Sequence, residues 1–366
     1  MGSFTRYEIA VIGGGAAGAC AAHRLSSTGA RVLLVTLRER ENAHPIEILN
    51  PGARYALARC GLPEPARGSV PCEGVLSAWD TETPIFHDYM LMNGIAGLAV
   101  SRREMQREFS VACRASGVHT AECLRSWIQS PTIHQRWAIR WMNLRNKLLE
   151  AHVDQILIAS GRSASLGLVD AGRRIRFDRS VAIWIPYVHQ YHAGKLLLEA
   201  VSDGWWYATP AIQHASNLVF ITEADLIPKT GAARAKWLAR MFDETKLLNV
   251  CARFSPSFSA ISATDAHFGM HPTPAFQRGA RIGAAALALD PLSGTGVVNA
   301  VEGALRAAND VILGHPLSNG YACFIRNIAA NEARLHQHTY LKAAQRFPHS
   351  AFWQRRIALS KHIAIA

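Results

Sequence analysis

Gly13, Gly15 and Gly18 stand at the spacing that lets a main chain fold round a phosphate. Gly13 permits a tight turn, Gly15 lets the backbone approach a pyrophosphate, and Gly18 allows a helix to pack closely on a strand. With Ala17 in its first turn, that helix would offer N–H groups and a positive dipole end to the anion. The pattern carries weight only between a strand and a helix, and the flanking residues supply both. Tyr7–Ile12 is a short apolar strand, and small residues then keep helical spacing through Leu25 until Ser26-Ser27-Thr28-Gly29. Arg31–Thr36 is a second buried strand, so about 30 residues form a βαβ unit of a parallel sheet. The fingerprint ordinarily ends about 20 residues on in an acidic group that bonds the ribose hydroxyls. Thr36 takes that position here, with Arg38 and Glu39 as possible substitutes. One hydroxyl cannot accept a bidentate pair, so the nucleotide should be held more weakly.

Composition narrows the other possibilities. At ~150 residues per folding unit, 366 residues make roughly two units or one large intertwined one. With 49% hydrophobic and 18% charged residues the chain can bury a sizeable core, which excludes a disordered scaffold. The 39 Lys and Arg exceed the 27 Asp and Glu by 12, an excess suited to anionic cofactors, acidic proteins or nucleic acid. Nucleic acid is disfavoured, because no recognition motif or aromatic stacking platform accompanies the basic region. The longest apolar run, around Ile282–Leu289, falls far short of the ~18 residues of a membrane span. No apolar leader precedes the first strand, so a soluble cytoplasmic protein that engages no membrane is expected. Seven cysteines, odd in number and without a Cys-x-x-Cys pair, read as free thiols. His189 with His192, His267 with His271, and His336 with His338 lack further ligands at metal spacing, so no metal site is expected.

Further along, the spacing predicts helical material over Pro45–Gly61, interrupted at Asn50-Pro51-Gly52 and carrying Glu47. Ser69–Gly97 is turn-rich with short strands, and Ser101–Ser116 is an amphipathic helix opened by a serine cap. Trp137, Ile139 and Trp141 mark a half-exposed strand, and Val153–Ala159 a buried one that ends in Ser160-Gly161-Arg162. Strand patterns fill Ile175–Phe268 around one helix, Lys229–Leu247. Asp290-Pro291-Leu292-Ser293-Gly294-Thr295-Gly296 leads into a helix over Val297–Leu313. From Leu317 the chain is helical and basic; seven Lys or Arg against Glu332 alone give that segment half the net charge.

Two of these segments resemble known elements. Val153–Arg162 is similar to the apolar strand and Ala-Thr-Gly of FAD-dependent oxidoreductases, with Ser160 in the threonine place. Gly283–Ala304 resembles the Gly-Asp-Ala-Ala and Pro-x-x-Gly-x-Gly segment of flavin monooxygenases. The resemblance implies that Gly161 and Arg102 contact FAD, and that Asp290, Gly294, Thr295 and Gly296 bring N–H groups to the pyrimidine edge of the flavin. Negative charge gathers at that edge on reduction, where a helix N-terminus is a suitable donor. Ala284 stands in place of the family's ribityl-binding aspartate and Val298 in place of an asparagine, which implies loosely held FAD.

Asp203–Pro210 (DGWWYATP) resembles the Gly-Trp-x-Trp-x-Ile-Pro signature of flavin-dependent tryptophan halogenases and, more closely, the Gly-Trp-Trp-Tyr of related flavoprotein hydroxylases. Ser77-Ala78-Trp79, Arg102-x-x-Met105 and Phe352–Arg356 are similar to that second branch, which includes the flavoproteins that oxidise a peptidyl tryptophan while maturing cysteine tryptophylquinone enzymes. The halogenases need a lysine in the N-terminal third, whereas Lys147 is the first lysine here and arginine cannot do its chemistry. The resemblance therefore implies an FAD-dependent monooxygenase that hydroxylates an electron-rich ring, tryptophan or indole, through a flavin C4a-hydroperoxide, free or within a protein or peptide. A small-aromatic oxidase or dehydrogenase, or a non-catalytic flavoprotein fold that binds a partner, stays open. No second Gly-x-Gly-x-x-Gly serves NAD(P)H, so the reductant visits transiently or a separate reductase delivers electrons.

Trp205, Trp206, Tyr207 and Trp79 offer flat surface for an indole, although an aromatic run on a strand is also what a core requires. Glu47 is either the base that accepts a ring proton or an exposed glutamate, and Arg102 a cofactor contact or a solvated helix start. The implied architecture is α/β. A Rossmann-like FAD-binding domain of the aromatic-hydroxylase type (1–68, 98–165 and 270–315) interleaves with a β-sheet substrate lobe (69–97 and 166–269) and precedes a basic helical segment (316–366).

Overall fold

The computed structural model describes residues 7–38, 46–129, 136–162, 174–188, 194–213, 215–251, 256–258 and 261–363. Apolar runs buried on both faces pair in parallel. Ile9–Ile12, wholly buried, takes parallel partners on both sides, with Ile9 opposite Val32 and Gln155. The sheet around it has eight strands in the order Leu148–Val153, Trp137–Asn143, His119–Gln129, Val32–Leu37, Ile9–Ile12, Gln155–Ile158, Gly279–Arg281 and Ala275–Phe276. The central members are parallel and the outer pairs antiparallel.

The helices among the described residues are α1 (Ala16–Ser26), α2 (Pro51–Arg59), α3 (Tyr89–Asn93), α4 (Arg102–Ala115), α5 (Gly231–Asp243), α6 (Leu247–Cys251), α7 (Gly296–Ile312), α8 (Gly320–Ala344) and α9 (Ala351–Ile363). α1, α4, α7 and α8 share one core with this sheet, through Cys20, Leu25, Phe109, Val301 and Tyr321. Ser101 caps α4 as its sequence predicts, its Oγ accepting from Glu104 N at 3.5 Å. None of these helices is long and apolar enough to cross a membrane.

The second sheet has seven strands: Ser262–Asp265, Ser180–Val188, Ala215–Glu223, Gly204–Ala208, Lys195–Val201, Gly74–Ala78 and Ile85–Asp88. Because side chains alternate across a strand, Trp205 and Trp206 enter different cores. Trp205 packs under α8 and α9 with Trp79, Tyr340, Phe352 and Trp353. Trp206 packs on the other face with Met241 and Phe242 of α5.

Four expectations need correction. Glu47 lies on a strand, Ile46–Leu49, opposite Val100, and not in a helix. Asn50-Pro51 begins α2 where an interruption was expected. Asn50 is extended, its Oδ1 accepts from Ala53 N at 2.9 Å, and Pro51 sits at the first turn, where its missing N–H is an orphan anyway. The Lys229–Leu247 helix is two helices, α5 and α6, because the Glu199 carboxylate accepts the N–H groups of Lys246, Leu247 and Leu248 at 2.7, 3.2 and 3.0 Å and so caps a second start. The Val153–Ala159 run divides at Asp154, whose N–H donates to Glu8 O at 3.0 Å; Val153 closes a hairpin and Gln155–Ile158 joins the parallel set.

Candidate active site

Close approach builds the glycine turn. Gly13 has φ 115°, a Cβ on it would lie 2.2 Å from Ala159 O, and its N–H donates to Val35 O at 2.7 Å. A Cβ on Gly18 would lie 1.7 Å from Gly13 O, so α1 rests directly on the turn. Gly15 is different: it is the N-cap of α1, and a Cβ there would meet nothing within 4 Å. Gly161 and Gly296 border open space in the same sense. Neither α1 nor α7 has a side-chain cap or an acid in its first turn, so each presents unsatisfied N–H groups and a positive dipole end. Ala17 joins them by packing on Gly283 beside Ala300 of α7; its side chain is buried in that contact, which leaves its backbone alone to face a ligand. Thr36 packs on Gly14 at the end of its strand, and Arg38 beyond it is exposed. Glu39, His189 and His192 lie outside the described residues.

Charged groups gather beside this turn. The Arg174 guanidinium donates through Nη2 to Ala284 O at 2.7 Å, Ala285 O at 3.3 Å and Gly161 O at 3.5 Å. Its Nη1 is buried without a hydrogen-bond partner among the described residues. Burial, with Arg162 nearby, pushes its pKa down to about 10. Arg162 donates to the carbonyls of His267 and Leu289; burial lowers its pKa while Asp290, Asp265, Asp178 and Glu47 oppose that. Glu47 is part of the same field. Burial raises its pKa, and Arg102 and Arg162 hold the rise in check. Tyr207 is raised far above the ordinary phenol range by burial first and the Glu47 charge second. The structure thus brings Tyr207, Arg102 and Arg162 within electrostatic reach of Glu47.

The side chains of Asp290 and Trp205 are engaged within the protein. The Asp290 carboxylate turns inward, accepting from Leu292 N at 2.8 Å and from Tyr340 OH at 3.2 Å, and pairing with His336 Nε2 at 3.1 Å. Burial pushes its pKa up, but His336, Arg356 and the Leu292 N–H outweigh that and hold it below the ordinary value. With both oxygens engaged inside the protein, the carboxylate shapes the loop. Trp205 is 1% exposed and its Nε1 donates to Tyr340 OH at 3.0 Å, so no ring face is left for an indole. Trp206 is likewise core, its Nε1 on Met241 O at 3.1 Å. One ligand atom each of Asp178, Asp290 and His336 lies within 4.8 Å of the others, but the Arg356 guanidinium sits there, 2.6 Å from Asp178 and 3.9 Å from Asp290, and supplies the positive charge. Between the Asp290–Thr295 loop and α8 lies a cavity of about 210 Å³.

A family model for an FAD binding domain matches residues 8–45. No curated protein matches. Solved structures share the arrangement over nearly the whole chain. Peptidyl tryptophan dihydroxylase QhpG, essential for tryptophylquinone cofactor biogenesis, is 20% identical over 96% of this chain and 79% of its own, with a TM-score of 0.77. The flavin-dependent halogenase CmlS is 19% identical over 96% and 68%, with a TM-score of 0.79. The p-nitrophenol 4-monooxygenase PnpA from Pseudomonas putida DLL-E4 is 16% identical over 98% and 94%, with a TM-score of 0.73. This is the FAD-binding fold of the flavin monooxygenases and halogenases.

Residues 8–45 match a model for an FAD binding domain, and the residues around the glycine turn suit that cofactor. Gly15, Gly161 and Gly296 leave room where Cβ atoms would intrude, two helix starts offer free N–H groups, and Arg174 keeps a buried donor in reserve beside Ala284. The Arg174 guanidinium thus lies beside Ala284, the residue that stands in place of the aspartate of the flavin-monooxygenase pattern. Arg162 and Arg174 were not singled out from sequence; the Ser160-Gly161 strand end hinted at the first, and nothing local marks the second. Asn50 was also missed: its Nδ2 donates to Gly294 O at 3.0 Å and ties α2 to the loop before α7. Glu332, His336 and Tyr340 follow each other at four-residue intervals on α8 and face that loop together, which only the fold reveals.

Proposed function

We propose that this chain is an FAD-dependent monooxygenase that hydroxylates an electron-rich aromatic ring, with an indole or tryptophan, free or within a polypeptide, as the ring. The observation that carries the reading is the Asp290–Gly296 loop, which borders both the open start of α7 and the cavity beneath α8. When bound there, FAD would supply oxygen activation. The N–H groups at the starts of α1 and α7 would hold its phosphates and its electron-rich edge, and Arg174 Nη1 would donate to an oxygen of the linking chain. Glu47, its pKa raised by burial, would take the proton that a hydroxylated ring must lose, with Tyr207 fixing its surroundings. The likeness to a peptidyl tryptophan dihydroxylase supports the choice of ring.

Oxygenation is favoured over halogenation by Lys147. It is the first lysine of the chain, and it sits exposed in a hairpin turn, its N–H donating to Asn143 Oδ1 at 2.9 Å. The test supplies FAD, NADH with a flavin reductase, isotopic dioxygen, chloride or bromide, and indole, tryptophan or tryptophan-bearing peptides. The expected product carries the labelled oxygen. Halogenated product without oxygenated product would overturn the reading.

A further inference from the structure

We propose that the cavity between the Asp290–Thr295 loop and α8 is a subsite for a neutral aromatic ring bearing an N–H donor, and that Glu332 selects this ring by accepting its hydrogen bond. The inference rests on the monooxygenase reading for why a ring should be there, while the recognition chemistry comes from the walls themselves. At about 210 Å³ the cavity is smaller than the roughly 300–1,000 Å³ pockets of drug-sized ligands, so it accommodates one ring system. Phe268, Leu292 and Leu335 supply apolar wall. His336 supplies a flat one, stacked at 4.2 Å and 28° on Tyr340 and at 6.1 Å and 25° on Phe268.

Two carboxylates line this space, and only one has capacity left. Asp290 is consumed by Leu292 N, Tyr340 and His336. Glu332 is 9% exposed; its Oε1 accepts from Thr295 Oγ1 at 2.8 Å and Asn299 Nδ2 at 3.2 Å, and its Oε2 has no hydrogen-bond partner among the described residues. A buried acceptor that carries charge welcomes an N–H donor and repels a benzoate or phenolate. A hydrogen bond to a charged group is worth about 10- to 100-fold in binding, which sets the expected discrimination.

Calorimetry with indole and with benzofuran, the same shape without the N–H, tests this in protein both saturated with FAD and free of it. Indole should bind at least 10-fold more tightly than benzofuran. Glu332→Gln, whose amide oxygen can still accept from Thr295 and Asn299, should cut that preference to a few-fold, and Glu332→Leu should abolish it. Because Glu332 also supports the start of α7, Leu335→Trp provides an independent arm: Leu335 is 60% exposed at the rim, so the larger ring fills the cavity from outside and both ligands should be lost. Equal affinity for the two ligands, no indole binding at millimolar concentration, or unchanged binding in Leu335→Trp would overturn the proposal. FAD binding, read separately from flavin fluorescence, keeps the two ideas apart. Failure of FAD to bind defeats the monooxygenase reading and leaves the indole result standing, whereas FAD binding without N–H discrimination defeats the subsite alone.

Discussion

Replacing Arg356 with methionine should remove about 3–5 kcal/mol of stability, the cost of stranding a buried charge partner. Arg356 is fully buried, and its guanidinium lies 2.6 Å from Asp178, 3.5 Å from Glu223 and 3.9 Å from Asp290. Burial opposes its charge, yet those carboxylates push its pKa above the ordinary guanidinium value. Methionine keeps much of the side-chain volume beside Tyr340 and Phe352 but leaves the carboxylates without their cation. Asp178 would retain the N–H groups of Ser180 and Phe268 at 3.0 and 3.2 Å, so the loss stays below that of a bare buried ion. In equilibrium urea unfolding, 3–5 kcal/mol is roughly a 150- to 5,000-fold shift toward the unfolded chain. Asp290, whose depressed pKa adds stability above the usual carboxylate range, loses that contribution as pH falls through its folded value. The gap between wild type and variant should therefore be widest near neutrality and narrow in acid. Arg355→Ala is the control: 42% exposed and paired with Glu223 and Asp225, it should cost no more than about 1 kcal/mol. An Arg356→Met loss as small as that of the control, or one independent of pH, would refute the reasoning.

Three further outcomes follow from the cleft. Gly15→Ala should leave thermal stability within about 1 kcal/mol of wild type but weaken FAD binding, because its Cβ meets only open space, while Gly18→Ala should compromise folding; calorimetry and flavin fluorescence separate the two. Arg174→Met should weaken FAD binding by about 10-fold or more through loss of the unpaired Nη1, with the same titration as readout. Glu47→Gln should stabilise the flavin-free protein in a pH-dependent way. A carboxyl whose folded pKa is raised loses stability as pH rises through that value, so the advantage of the variant should be absent in strong acid, grow above the usual carboxylate range and then level off in urea titrations.

Local chemistry was readable from the sequence, and convergence was not. The glycine turn, the Ser101 cap and the buried parallel strands each depend on neighbours within a few residues, and the fold and its FAD-binding domain follow from them. The segment around Glu47 misled because Asn50-Pro51 suits a helix start as well as a break, and only the pairing with Val100 decides. The types of Trp205 and Trp206 suit either a flat surface for an indole or a core; their burial is set by α8, α9 and α5, more than 30 residues away, since Met241 and Tyr340 lie 35 and 135 positions from the indoles they accept from. Glu332, His336 and Tyr340 look like one face of any long helix until the loop before α7 is laid against them. Asp178 and Arg174 carry no local signature at all.

Helix α9 has a consequence for the order in which this molecule comes into being. Trp353 Nε1 donates to Val201 O across 152 positions, and Arg356 reaches Asp178 across 178. At synthesis rates of about 5–20 residues per second, roughly 8–35 s separate the emergence of each early partner from its late one. Throughout that interval a nascent chain holds Asp178 and the Trp205 face uncovered, so the second sheet is covered only after the ribosome has read well past its last strand.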